Sequence, residues 1–207
     1  MTSTMMTNGA NRVDNTDTSI LTIDKSAKVS SLAMKDSEAM MDADGVGVRP
    51  VLEDEGALLW ELARDAKGID LNSPYAYMMT CRNFSNTSVV AEVFGQPAGF
   101  ITAHRVPSRP HVLFVWQVAV LPEFRGLGIA SRMLEGLAEL PVCSGVRKIE
   151  TTGTPSIKAS KARFSRFAKN RQAQLDIQSG FDAADFPEGE TFEAEQLFTI
   201  QPIHSID

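Results

Sequence analysis

The most specific chemistry in this 207-residue chain lies in Arg125-Gly126-Leu127-Gly128-Ile129-Ala130. The run follows the apolar stretch Val112 to Val120 and a Pro122 that stops strand pairing because it has no N–H to donate. It precedes a helical pattern of Ile129, Met133, Leu134 and Leu137. A strand, a glycine-rich turn and a helix start gather unpaired backbone N–H groups and the positive end of a helix dipole at one spot. That is an anion site, and phosphate is its usual occupant. A P-loop would end in Gly-Lys-Ser/Thr, which is missing here, and a dinucleotide fingerprint would need glycine where Ser131 stands. Arg/Gln-x-x-Gly-x-Gly/Ala is the pattern that fits; a plain glycine-rich turn is the bland alternative.

Other reactive residue types point away from metal and redox chemistry. His104, His111 and His204 are scattered and match no ligand spacing, and Cys81 and Cys143 form no metal or redox motif, so no metal is expected. A net charge of -6 gives no basic footprint for nucleic acid or an anionic membrane. No apolar run reaches the length of a membrane span, and the N-terminus lacks a signal-peptide core. A reducing, cytoplasmic setting is expected.

The elements around the loop suit one domain. Residues 1–45 are rich in Thr, Ser, Asn, Asp and Met and lack aromatics, so they read as a disordered tail, with a short helix conceivable around Ser30 to Met41. The domain spans 46–201, and 202–207 form a short C-terminal tail. Its predicted order begins with a strand at Val46 to Val51, a helix at Glu53 to Ala66, a loop from Ile69, and a helix at Tyr75 to Asn83 capped by Ser73 and opened by Pro74. A hairpin follows (Ser88 to Val93, Ala98 to Arg105), then a two-proline loop, Val106 to His111, and the central strand Val112 to Val120. Both alternating sets of that strand are largely apolar, so both of its faces should be covered. A helix ending near Leu140, a strand at Val146 to Thr152, a helix at Ile157 to Asn170 and strands at Ala173 to Ile177 and Gln196 to Gln201 complete the chain.

The loop at 125–130, preceded by Gln117-Val118-Ala119-Val120, resembles the acyl-CoA pyrophosphate loop of the GNAT superfamily of N-acyltransferases. The order β-α-α-β-β-β-α-β-α-β-β is similar to the GNAT order. That resemblance implies an α/β (α+β) fold, a mixed twisted sheet flanked by helices. Asp70 to Tyr77, Phe84 to Ala91, Leu113 to Val120, Glu150 to Ser156 and Lys158 to Ser160 resemble one family, the L-2,4-diaminobutyrate acetyltransferases of ectoine biosynthesis. The segments Asp-Leu-Asn-Ser and Phe-Val-Trp-Gln select that family. The resemblance implies transfer of an acetyl group from acetyl-CoA, the cosubstrate, to the 4-amino group of L-2,4-diaminobutyrate, in a homodimer. Other readings are acetylation of another small diamine or amino acid, and acyl-CoA binding without catalysis.

The reaction constrains the site. The acceptor is a small dication with one carboxylate, and its amine must lose a proton before attacking a thioester. On the resemblance, Asp70 and Glu150 are expected to hold the ammonium groups, with Glu150 at the C-terminal end of its strand as the better candidate base. Trp116 should wall the pocket and offer an aromatic face to a cation. Tyr75 is expected to face the same cleft as a catalytic and substrate-binding residue, its phenol hydrogen-bonding the amine or the carboxylate, and Thr152 to hydrogen-bond the substrate. Val118 and Val120 would supply main-chain bonds to pantetheine, and a backbone N–H near Val118 would polarise the thioester oxygen. Gly126, Gly128 and Ala130 would present N–H groups to the pyrophosphate, and Arg125 would add a charge-assisted contact. Ser156, Lys158 and Ser160 are the remaining polar groups expected near CoA. Ile157 and Phe164 depart from the Asn and Tyr that many GNAT enzymes carry there, so Phe164 cannot be the acid for the thiolate; water or another phenol would serve.

Overall fold

The computed structural model of the chain describes residues 42–156, 158–187 and 192–203, without the side chains of Lys158 and Ala159. The expected tails lie outside these residues apart from 42–45 and 202–203. Residues 42–45 pack with the domain. Asp42 and Asp44 pair with Arg132, and the Phe94 N–H donates to the Gly45 oxygen at 2.8 Å.

Seven strands and four helices are seen among the described residues, in the order β1 (Val46–Pro50), α1 (Gly56–Ala66), α2 (Pro74–Phe84), β2 (Val89–Val93), β3 (Gln96–Val106), β4 (Arg109–Val120), α3 (Ile129–Glu139), β5 (Lys148–Gly153), α4 (Lys158–Asn170), β6 (Gln174–Phe181) and β7 (Glu195–Gln201). One mixed sheet runs β1-β2-β3-β4-β5-β7-β6. Only β4 and β5 pair in parallel; every other neighbour is antiparallel. The expected loop at 106–111 is instead a tight hairpin, with Pro107 and Ser108 turning β3 into β4. α1 starts at Gly56 rather than Glu53, because Glu55 is drawn back to Arg49 (2.6 Å) and to the Leu52 N–H (2.7 Å).

Each face of the sheet carries its own core. On one side α3 and α4 bring Met133, Leu134, Leu137, Phe164 and Phe167 onto Leu113, Val115 and Ile149. On the other, α1 and α2 pack Leu59, Leu62, Tyr77 and Cys81 on Val90, Phe100 and Ala119. The buried positions of α1 (Leu59, Leu62, Ala63, Ala66) follow helical spacing, and truncating a fully buried Leu such as Leu59 to Ala should cost about 2–5 kcal/mol. Cys81 and Cys143 are buried and free. Burial, with Glu55 and Asp54 adding to it, pushes the Cys81 thiol up to about 12, so it stays protonated and is no nucleophile. Among the described residues no helix is long and apolar enough to cross a membrane.

Candidate active site

A defect in the central strand makes the site. Thr102 pairs with Gln117, but Ala103 pairs with Val115, so Trp116 is an extra residue in β4. The Gln117 N–H donates to Thr102 Oγ1 at 3.2 Å, replacing the lost ladder bond with a hydroxyl. The bulge also swaps faces. Leu113 and Val115 pack toward α3 and α4, whereas beyond it Val118 and Val120 take that side and Ala119 joins the α1–α2 core. The simple alternation expected along Val112 to Val120 therefore breaks at Trp116.

Pairing between β4 and β5 ends at Val115 and Thr151, while β4 continues to Val120. The strands part beyond that point and open a cleft of about 1210 Å³. The Leu121 N–H turns to β3, donating to the Ala98 oxygen at 2.9 Å. By strand alternation the main-chain groups of Val118 and Val120 turn the other way, into the cleft. The Val120 oxygen accepts from Arg125 Nε at 3.2 Å; the N–H groups of Val118 and Val120 have no strand opposite them.

At one end of the cleft lie Gly126, Gly128, Ala130 and Ser131. Gly126 and Gly128 hold left-handed φ of 82° and 76°, and Gly128 is the residue from which α3 starts. A Cβ at either would project into open space. Glycine is needed there for the backbone turn and to leave room above the helix start, where the first N–H groups have no partner in the helix. Arg125 also lines the cleft, but its guanidinium is already engaged. It reaches the Ala66 and Lys67 oxygens, the latter at 3.0 Å, and caps the end of α1. The charge-assisted phosphate contact expected of Arg125 is not the one it makes here, because the last carbonyls of α1 already hold its guanidinium. Ser160 lines the cleft, whereas Ser156 is exposed and hydrogen-bonds Thr154 at 2.9 Å; the Lys158 side chain lies outside the described residues.

At the other end stand Asp70, Asn72, Trp116, Gln117 and Thr152. Gln117 Nε2 donates to the Asp70 main-chain oxygen at 2.8 Å, and the exposed Asp70 carboxylate makes no ion pair or hydrogen bond among the described residues. Gln117 is 8% exposed, and its Oε1 has no partner among the described residues. The Trp116 ring is 46% exposed and lines both the cleft and a neighbouring recess of about 270 Å³ with Phe114 and His104. Phe84 and Phe114 flank His104, and burial holds its imidazole below the usual range.

Two expected site residues do not line the cleft itself. Tyr75 is 68% exposed and lines no part of the cleft. The packing of α2 turns Tyr77 inward instead, against Phe100, where its hydroxyl accepts from the Asn72 N–H at 3.4 Å. The chain has two tyrosines, and neither lines the cleft, so no phenol is placed to protonate a thiolate. Glu150 is the third residue of β5, not its end, and Thr152 and Gly153 occupy the opening. Both Glu150 oxygens accept from Arg109, at 2.7 and 2.9 Å. A carboxylate locked in that fork is poorly set to take a proton.

Sequence reasoning missed three cations. Arg163 and Arg166 line the cleft from α4 and make no ion pair among the described residues. Burial pulls the Arg163 guanidinium below its usual range. Their three-residue spacing, starting from Ser160, was a usable signal because it puts all of them on one helix face. Arg109, which meets Glu150 across 41 positions, left no such local sign.

Residues 57–167 match the acetyltransferase (GNAT) family. The chain is 45% identical over 157 residues to the L-2,4-diaminobutyric acid acetyltransferase of Streptomyces avermitilis, covering 75% of this chain and 87% of that protein. It is 42% identical over 156 residues to the same-named protein of Halalkalibacterium halodurans, covering 75% and 81%. The structure of the diaminobutyrate acetyltransferase of Paenibacillus lautus, in complex with L-2,4-diaminobutyric acid and coenzyme A, superposes with a TM-score of 0.73 at 44% identity, covering 78% of this chain and 98% of that one. A family match over more than half the chain, relatives of this identity and coverage, and a splayed, bulged central strand leading to a glycine turn all agree: the chain belongs to the GNAT acetyltransferases and, among them, to the diaminobutyric acid acetyltransferase family.

Proposed function

We propose that the protein transfers the acetyl group of acetyl-CoA to the 4-amino group of L-2,4-diaminobutyrate, giving the N4-acetyl compound from which ectoine is made. The observation that carries this reading is a single cleft with a glycine anion turn at one end and the free carboxylate of Asp70 beside Trp116 at the other. The Paenibacillus lautus relative is in complex with L-2,4-diaminobutyric acid and coenzyme A, which supports the reading.

In this reading the pyrophosphate sits over Gly126, Gly128 and Ala130, and pantetheine runs along β4 against the main-chain N–H groups of Val118 and Val120. Arg163 and Arg166 face the CoA phosphates. The Val118 N–H polarises the thioester oxygen, and its fixed direction into the cleft stabilises the charge that builds on that oxygen. The acceptor amine stands between Val118 and Trp116, with Asp70 drawing its ammonium form in and passing the proton to cleft water. Thr152 closes the opposite wall. With no phenol in reach, the thiolate leaves toward water.

Thiol release from acetyl-CoA, followed with and without L-2,4-diaminobutyrate and against a panel of other small diamines and amino acids, tests the reading. Release that depends on diaminobutyrate and is fastest with it is expected. Equal release without an acceptor would sink it, and tight acetyl-CoA binding with no turnover would favour a binding protein.

A homodimer in the cytoplasm completes the proposal. Tyr75, Met78 and Met79 form an exposed apolar stripe on α2, which supports self-association. Sedimentation at micromolar concentration should give a dimer; a monomer would reject it.

A further inference from the structure

Glu150 is a carboxylate only 5% exposed, and a buried carboxylate needs a cation. Arg109 supplies it as a fork, Nη1 to Oε1 at 2.7 Å and Nη2 to Oε2 at 2.9 Å, with Lys148 Nζ a further 3.9 Å from Oε1. The two partners differ in freedom. Glu150 is fixed in β5, between β4 and β7. Arg109 opens β4 just after a hairpin turn, and its side chain is 47% exposed. The arginine can turn toward water once another cation takes its place at Glu150, while the carboxylate cannot follow it.

Glu150 pairs across β4 with Phe114, two residues before Trp116, and by strand alternation shares its face with Thr152. An acceptor whose reacting amine stands at Val118 and whose chain crosses Trp116 carries its other end toward this ion pair. Resting on the acceptor reading above, we propose that Arg109 selects an amino acid over a plain diamine. The acceptor's α-ammonium takes over Glu150, and the released guanidinium pairs with the acceptor's carboxylate. Charges then alternate along the row: Glu150, ammonium, carboxylate, Arg109. Lys148 keeps Glu150 compensated during the exchange. A planar guanidinium fork matches a carboxylate in two parallel hydrogen bonds, which an ammonium cannot do. A diamine without the carboxylate would have to displace Arg109 from Glu150 and leave it with water alone.

The test compares L-2,4-diaminobutyrate with 1,3-diaminopropane, the same skeleton without the carboxylate, in wild type, Arg109→Gln and Arg109→Lys. Wild type should prefer the amino acid. In Arg109→Gln the ratio of kcat/KM for diaminobutyrate over diaminopropane should fall roughly 10–10²-fold, the range for hydrogen bonds to a charged group. The fall should come from KM for the amino acid rather than from kcat. Arg109→Lys, which keeps the charge and loses the fork, should lie between. An unchanged ratio in folded Arg109→Gln overturns the inference, because Arg109 would then only hold Glu150 in place. If Arg109→Gln does not fold, an unchanged ratio in Arg109→Lys overturns it equally. A wild type that does not acetylate diaminobutyrate at all overturns the acceptor reading itself, and that result is visible before any variant is made.

Discussion

Gln117 Nε2 donates to the main-chain oxygen of Asp70 at 2.8 Å, tying the loop between α1 and α2 to the residue that follows the bulge in β4. One bond thus joins the Asp-Leu-Asn-Ser segment to the Phe-Val-Trp-Gln segment. It fixes where the Asp70 carboxylate stands relative to Trp116 without using that carboxylate. Gln117→Leu keeps the volume and removes the bond. KM for diaminobutyrate should rise several-fold, in line with about 1 kcal/mol for a neutral hydrogen bond, while acetyl-CoA affinity stays near wild type. Steady-state kinetics with each substrate varied in turn checks this; a loss confined to acetyl-CoA would contradict it.

The glycine turn predicts a different pattern. Gly128→Ala must hold a left-handed φ of 76°, which costs about 1–2 kcal/mol, so melting should drop modestly. Gly128→Glu adds a negative charge in the open space over the helix start and should abolish acetyl-CoA binding. Calorimetry that finds unchanged affinity in folded Gly128→Glu would remove this turn as the phosphate site.

Arg163 and Arg166 should act on the donor alone. Arg163→Ala is expected to weaken acetyl-CoA roughly 10-fold, as for a charge-assisted bond, and to flatten the salt dependence of binding. Burial disfavours the charged form of Arg163, and a bound phosphate would offset that cost. A variant with altered KM for diaminobutyrate and normal acetyl-CoA affinity would put these arginines on the acceptor side instead.

His104 predicts an acid limb in stability. Burial depresses its pKa in the fold, so the unfolded chain binds the proton more readily. Its contribution is complete above the unfolded value of about 6.5 and is lost as pH falls through the lower folded value. His104→Phe should remove that part of the acid slope while keeping the contacts with Phe84 and Phe114. Melting followed from pH 7 downward tests it; an unchanged slope would assign the acid limb to other groups.

The local pieces of the fold were legible. The strand–turn–helix from Val112 to Met133 showed its period and its glycines directly, and Ser73-Pro74 announced the start of α2, where Ser73 accepts from the Ala76 N–H. Long-range consequences were not. A bulge at Trp116 is visible only once β3 lies beside β4, and it reverses which valines face which core. Tyr75 and Tyr77 are equal by composition, and only the packing of α2 on Phe100 turns Tyr77 inward. Glu150 had the right residue type on the right strand, yet its partner comes from a hairpin end far along the chain. Arg125 sits in the expected motif, and the last carbonyls of α1, beyond the reach of a motif, decide where its side chain goes.

The central claim is that the cleft joins acetyl-CoA to the 4-amino group of diaminobutyrate. Proton NMR of the product formed by the full chain from acetyl-CoA and L-2,4-diaminobutyrate tests it most directly, because it reports both transfer and position. One product is expected, acetylated on the 4-amino group and formed in step with free CoA. Acetylation at the 2-amino group would mean that the acceptor lies reversed between Val118 and Glu150, and no acetylated product from a folded, acetyl-CoA-binding protein would contradict the account as a whole.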